Sequence, residues 1–360
     1  MSKILSIGTA VPDHRHKQED ILDFMQSVFA LDDGGRRKVK FLYKQSGIQT
    51  RHSVIPDYSQ PASNWKFYPP SENLEPFPNL EKRMQWYKTH AAALSLKAVK
   101  KCLAQQEKNA ITHLITVSCT GMSAPGLDLE LMELLGLPQT TFHTSVNFMG
   151  CYAAIHALKM ADAFCKMDTH INVLIVCTEL CTLHFQKDYT TDNITSSMLF
   201  SDGAAAMLVT GNNDCNGLAI DSFYSTVAAR GKKDMIWDIS SSGFLMTLSG
   251  YIADLVEADF KGLVDGACKT AGLLPEQISH WCIHPGGKRI LESVHKSLGF
   301  SNGELQQSYN VLTEYGNMSS PTVLFVLEEM WKNKGIKEGE KVFCAAFGPG
   351  ISMETFIISA

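Results

Sequence analysis

Three residues have side chains suited to chemistry and stand where the chain turns. Cys151 follows Gly150 and opens the helically spaced stretch YAAIHALKMADAF. A free thiol has a pKa near about 8.5, so little of it is thiolate at neutral pH. A helix N-terminus offers unpaired N–H groups and partial positive charge, which favour the anion and make Cys151 a candidate nucleophile. The competing reading is a small buried apolar residue, which most cysteines are. His284 ends the strand-like run WCIH, and Pro285-Gly286-Gly287 stops that run from continuing. An imidazole there can pair with a thiolate and later donate to an anionic oxygen, although a lone core histidine is more often structural. Asn317 supplies a neutral amide, which stabilises an enolate or oxyanion where a carboxylate would repel it. Its place before Met318-Ser319-Ser320-Pro321 also suits a helix N-cap. Cys, His and Asn in this order also fit a papain-like cysteine protease, with His284 133 positions after Cys151. Against that reading, the cysteine lies mid-chain and no Cys-Gly-Ser-Cys-Trp type of signature surrounds it.

The elements that must position these residues are strands that stop abruptly and helices that follow. Leu114 to Val117 ends in Ser118-Cys119-Thr120-Gly121, Val173 to Val176 ends in Cys177-Thr178-Glu179, and Ile4 to Ile7 leads into Gly8. Between them, Tyr87, Ala91, Leu94, Ala98 and Cys102 recur at helical spacing, as do Ala154, Leu158, Ala161 and Cys165. This alternation predicts α/β layers around a largely buried mixed sheet. A weak internal repeat is also present. Cys119 and His284 both end strands and lie 165 residues apart, while Cys151 and Asn317, each after a glycine, lie 166 apart. The segments FSDGAAAMLVTG (200–211) and FGPGISMETFII (347–358) look like related turns into strands. Two similar halves facing one shared site would explain the match. Residues 52–80 break the pattern with six prolines and with Trp65, Phe67, Tyr68 and Phe77 among them, which predicts an ordered surface excursion.

Composition narrows the class. The chain has 360 residues, 45% of them apolar and 19% charged, with a net charge of −5. That excludes a disordered or fibrous chain and gives no basic footprint for nucleic acid. No apolar run approaches the roughly 18 residues of a membrane span. The first residues resemble a strand more than a signal peptide. Ten cysteines without a CxxC pair read as reduced thiols rather than a zinc site, so a cytoplasmic enzyme is expected.

The residues carry a resemblance to type III polyketide synthases, the chalcone and stilbene synthase family within the thiolase-fold condensing enzymes. The matching segments are GCYAA around Cys151, WCIHPGGKRIL around His284, YGNMSS around Asn317, LFSDGAAA at 199–206 and FGPGISMET at 347–355. The resemblance implies a thiolase-like α/β fold, a duplicated five-layer αβαβα architecture, with halves at 1–212 and 213–360. It implies an acyltransferase in which an acyl group moves from coenzyme A onto Cys151. Malonyl-CoA then loses carbon dioxide, its enolate held by His284 and Asn317, and condensation repeats before cyclisation to a pyrone, resorcinol or phloroglucinol. A single-condensation enzyme like ketoacyl synthase III is the near alternative. Backbone N–H groups near Cys151 and the Gly348-Pro349-Gly350 turn would serve the tetrahedral intermediates.

The same resemblance implies no metal, flavin or nicotinamide, with coenzyme A thioesters as substrates, and a homodimer. Phe200 matches one of the family's gatekeeping aromatics, and Met246 stands at the second such position, where a flexible thioether replaces a ring. His184, Trp237, Ser319, Cys119, Cys181 and Gly350 are expected around the cavity, with Cys177 nearby. Arg36, Arg37, Lys38, Lys40 and Lys44 are candidates for the phosphates of coenzyme A, with Lys38, Lys40 and Lys44 preferred; a solvated helix face is the alternative.

Overall fold

The structure, a computed structural model, describes all residues except 30, 72, 105, 107 and 302, and no side-chain detail at 109 and 334. The first part of the chain runs β1 (Lys3–Ala10), β2 (His14–Lys17), α1 (Gln18–Val28), α2 (Asp33–Gln45), β3 (Thr50–Ser53) and α3 (Leu80–Cys102). Next come β4 (His113–Ser118), α4 (Leu127–Leu135), β5 (Phe142–Asn147), α5 (Ala153–Met167), β6 (Asn172–Leu180), α6 (Thr191–Leu199) and β7 (Asp202–Thr210). The second part has β8 (Leu218–Val227), the hairpin β9 (Met235–Ser240) and β10 (Gly243–Leu248), α7 (Ile252–Ala271), β11 (His280–Ile283) and α8 (Lys288–Leu298). It ends with α9 (Gln306–Tyr315), α10 (Thr322–Glu329), β12 (Lys341–Gly348) and β13 (Ser352–Ser359).

Nine strands form one sheet in the order β11-β12-β13-β8-β1-β7-β6-β4-β5. Its two halves repeat. From β1 outward the neighbours β7, β6 and β4 pair antiparallel, antiparallel and parallel; from β8 outward β13, β12 and β11 do the same. The halves join where β1 and β8 pair through Lys3–Ala219 and Ile4–Leu218. The internal repeat read from the sequence is therefore a repeat of strand order and direction.

Side-chain alternation explains the layers, because successive residues of a strand face opposite ways. In β6, Leu174 and Val176 join a core that includes residues of α1, α3 and α4. Ile175 and Cys177, one residue on, join a second core built around α5 and α10. Cys344, Ala346, Phe356 and Ile358 reach that middle core from the other half. Their neighbours Phe343, Ala345 and Ile357 face α7 and α8 instead. The result is helix, sheet, helix, sheet, helix. The middle helices are enclosed from both sides, and every residue from Thr322 to Leu327 in α10 is buried. Among the described residues, no helix is long and apolar enough to cross a membrane.

Over its described residues the proline-rich segment 52–80 is a surface excursion, exposed at 59–64, that is also anchored in the core. Ile55, Phe67 and Leu74 are almost fully buried and join the first core with Tyr58 and Tyr68. Asp57 makes this possible. Its Oδ1 accepts from the N–H of Lys66 (2.8 Å) and its Oδ2 from those of Phe67 (2.9 Å) and Tyr68 (2.8 Å). An irregular segment can enter a core only if its backbone donors are met. Asp57→Ala should therefore lower unfolding stability by at least about 3 kcal/mol, measured as a shift in urea midpoint at constant slope.

Candidate active site

The Cys151 turn exists because two glycines remove side chains between the halves. Gly150 has φ of +86°, and a Cβ there would lie 2.3 Å from Pro349 Cδ. A Cβ on Gly348 would lie 2.5 Å from the Tyr152 ring. The turn leading into α5 thus nests against the turn between β12 and β13. Cys151 sits in the entry turn, two residues before α5, rather than in the helix itself. Cys119, at the end of β4, supports the turn from below: the Gly150 N–H donates to its sulfur at 2.9 Å.

His284 and Asn317 come from the corresponding places in the second half. His284 follows β11, and its N–H donates to the Ala345 carbonyl (2.8 Å). It is about 1% exposed, and neither ring nitrogen has a hydrogen-bond partner among the described residues. Asn317 is clamped on four sides. Its N–H donates to the Leu199 carbonyl and its carbonyl accepts from the Ser201 N–H, both at 2.9 Å. Its Oδ1 accepts from the Ser319 N–H (2.8 Å), and its Nδ2 donates to the Gly286 carbonyl (3.2 Å). The backbone donor at Ser319 identifies which end of the amide is oxygen. Asn317 is therefore not a helix N-cap, because α10 begins only at Thr322, behind Pro321.

Burial dominates the electrostatics. It pushes the Cys151 thiol up to about 11, opposed by the neighbouring polar side chains of Ser319 and Asn317. The expected help from a helix N-terminus does not prevail, since α5 starts later and the sulfur is enclosed. Burial likewise pushes His284 down to about 3. A lone charge on either group would be buried without a partner, whereas a proton passed from sulfur to imidazole creates two opposite charges together. Glu179, at the end of β6, was not singled out in the sequence, although a carboxylate in the run VLIVCTEL is a visible anomaly. Desolvation raises it to about 7. Glu179 accepts from the Cys119 N–H (2.8 Å), the Thr120 hydroxyl (2.7 Å) and the Ser320 hydroxyl (2.7 Å), tying both halves together.

The thiol, the imidazole and the amide line one cavity of about 450 Å³, with Glu179 behind its wall. Cys151, His284 and Asn317 are in its wall with Cys119, Cys181, His184, Phe200, Trp237, Met246 and Ser319. Gly350 is not, although Phe347 and Pro349 are; Cys177 faces the middle core instead. Of the basic cluster on α2, Lys38 lines the cavity, while Lys40 and Lys44 lie on the exposed helix face outside it. Lys288 and Arg289, which the sequence reading passed over, join Lys38 in the lining because Gly286-Gly287 delivers α8 there. Phe244 was also missed. Its ring stacks on His184 at 4.2 Å, and the β9–β10 register sets Met246 opposite Trp237. Arg51, in β3, donates to the carbonyls of Ser197 (2.6 Å) and Phe200 (2.7 Å), holding the end of α6 where Phe200 stands.

Comparison with known proteins gives this geometry a family. Residues 1–213 match the model of chalcone and stilbene synthases, N-terminal domain, and residues 224–360 match the C-terminal domain. A Dictyostelium discoideum protein named "Probable polyketide synthase 1" is 29% identical over 98% of this chain, which spans 11% of that protein's length. The "Alpha-pyrone synthesis polyketide synthase-like Pks18" of Mycobacterium tuberculosis is 28% identical, over 98% of this chain and 89% of its own. The crystal structure of PKS-I from the brown alga Ectocarpus siliculosus superposes with a TM-score of 0.93 at 27% identity, covering 99% of this chain and 98% of that one. The C-terminal type III polyketide synthase domain of Steely1, a type I/III hybrid from Dictyostelium, superposes at 0.91 with 28% identity and 99% coverage of both chains. With both domain models matched in order and the thiolase-like fold shared throughout, the chain belongs to the chalcone and stilbene synthase family, the type III polyketide synthase acyltransferases.

Proposed function

We propose that this protein loads an acyl group from coenzyme A onto Cys151 and extends it by decarboxylative condensation with malonyl-CoA. The observation that carries the reading is a buried imidazole whose two nitrogens have no partner among the described residues, sharing one cavity wall with a thiol and a clamped amide. The Cys151 sulfur, its proton taken by His284, attacks the thioester carbonyl and expels coenzyme A as its thiol. Malonyl-CoA then breaks its bond to the carboxylate carbon. Carbon dioxide leaves, and the electron pair moves onto the thioester oxygen. His284 and the remaining Nδ2–H of Asn317 are the donors for that enolate oxygen. The enolate carbon attacks the Cys151 thioester, the sulfur leaves, and the extended chain, now a coenzyme A thioester, is reloaded onto Cys151 with release of coenzyme A before the next round. Repetition and cyclisation to a pyrone, resorcinol or phloroglucinol complete the reading, with coenzyme A thioesters as the only reagents required.

Lys38, Lys288 and Arg289 are the cations we assign to the coenzyme A phosphates, in place of Lys40 and Lys44. We take 1–212 and 213–360 as the functional halves. A homodimer is supported by β5, an edge strand with an exposed Phe142. A reducing cytoplasm suits ten free cysteines.

Three measurements test the reading. Cys151→Ala should abolish acyl loading and condensation, whereas Cys119→Ala should retain both in part; a trapped acyl adduct mapped to Cys119 by mass spectrometry would reverse the assignment. Asn317→Ala should depress malonyl-CoA decarboxylation by roughly 10²- to 10³-fold while alkylation of Cys151 suffers less. An unchanged decarboxylation rate would leave Asn317 only its role in the turn. Met246→Phe should narrow the range of starters at nearly constant decarboxylation, read as the rate ratio of long to short acyl-CoAs. A constant ratio would remove Met246 from the gate.

A further inference from the structure

We propose that the starter acyl group is apolar beyond its thioester and lacks polar substituents. This rests on the condensing reaction above and concerns the cavity wall beyond Cys151. Around His184 and Trp237 the polar side chains of that wall have spent their hydrogen-bonding atoms on the protein. His184 Nδ1 accepts from the Phe244 N–H (3.0 Å), so its Nε2 carries the proton and donates to the Thr120 carbonyl (2.7 Å). Burial holds this imidazole neutral. Trp237 Nε1 donates to the Cys119 carbonyl at 2.7 Å. Thr120 Oγ1 donates to Glu179 (2.7 Å) and accepts from the Leu180 N–H (2.8 Å). The Tyr58 hydroxyl donates to the Thr182 carbonyl (3.0 Å), and Thr182 Oγ1 donates to Asp202 (2.7 Å).

What these residues present to a guest is ring faces, ring edges and thioether. The rings of His184 and Phe244 stack with 7° between their planes, and Trp237 meets each of them nearly at right angles. Met246 and Leu248 continue the same wall, with Ile21, Met25 and Phe185 elsewhere in the lining. Among the described residues of the lining, polar side-chain atoms without a partner include both ring nitrogens of His284, one Arg51 nitrogen, whose neighbour already serves the Phe200 carbonyl at the gate, Ser319 Oγ and Gln186 Oε1; none belongs to the His184–Trp237 wall. A starter hydroxyl set against the His184, Trp237 and Phe244 rings would lose its water and find their polar atoms already engaged. That loss costs a factor of about 5 to 150 in affinity. A methylene at the same place gains about fourfold.

The test compares loading of the wild-type protein by butanoyl-, octanoyl-, cinnamoyl- and 4-hydroxycinnamoyl-CoA, read as rates of Cys151 acylation by intact-protein mass spectrometry. Octanoyl-CoA should load more efficiently than butanoyl-CoA by at least about tenfold, and the 4-hydroxyl should slow cinnamoyl loading by at least about fivefold. Trp237→Phe frees the Cys119 carbonyl as an acceptor, so it should raise the ratio of 4-hydroxycinnamoyl to cinnamoyl loading. Equal or faster loading of the hydroxylated starter in the wild type, or equal loading of butanoyl and octanoyl groups, would overturn the inference. Malonyl-CoA decarboxylation is followed in parallel. Its absence together with no loading by any starter would overturn the condensing reaction itself, a result distinct from a wrong starter class.

Discussion

Everything at the candidate active site depends on two backbones touching where a side chain would not fit. Gly150 lies against Pro349, and Gly348 lies against Tyr152, so the turn of one half enters the turn of the other. Only a residue without Cβ permits that distance, and the positive φ at Gly150 aims the following cysteine inward. Glu179 completes the junction from beneath, with acceptor oxygens shared between the Cys119–Thr120 turn and Ser320. The duplicated fold thus does more than bury apolar area. It brings two equivalent turns, one carrying sulfur and the other an amide, to a common seam.

Enclosure has an electrostatic consequence. With Cys151, His284 and Asn317 all nearly buried, a neutral thiol and a neutral imidazole are the forms that desolvation favours. Charge is stabilised there only as a pair or on a substrate oxygen aimed at the free donors. The same enclosure makes the clamps on Asn317 matter, because an amide with its oxygen held by Ser319 cannot turn its acceptor toward an enolate. Arg51 extends the restraint to Phe200, so the gate and the amide share one scaffold: Phe200 and Asn317 pair backbone to backbone.

Much of this was legible in one dimension. Alternating strand ends and helical spacings carried the α/β class, and matched offsets of 165 and 166 residues carried the duplication. Both are local patterns repeated at long range, and such patterns survive in a linear chain. Motifs around Cys151, His284 and Asn317 carried the family, and with it the papain-like reading loses its ground. Turn chemistry was less legible. Asn317 looked like a cap because its followers suit a helix start, yet Ser319, with φ of +61°, and Pro321 delay the helix and leave the amide clamped in the turn.

Features that depend on neighbours distant in sequence were settled by folding alone. Proline and aromatic density at 52–80 signalled order, but burial of Phe67 and Leu74 required Asp57 to meet three backbone donors at once. Five cations on α2 look equivalent in sequence, whereas helix orientation turns only Lys38 toward the cavity and a separate helix brings Lys288 and Arg289 beside it. The polarity of the cavity wall was hidden for the same reason. His184, Thr120 and Trp237 are polar by composition, and only their folded partners, 60 or more residues away for His184 and 118 for Trp237, consume that polarity. Residue type sets what a side chain can bond, and the fold sets what is left for a substrate.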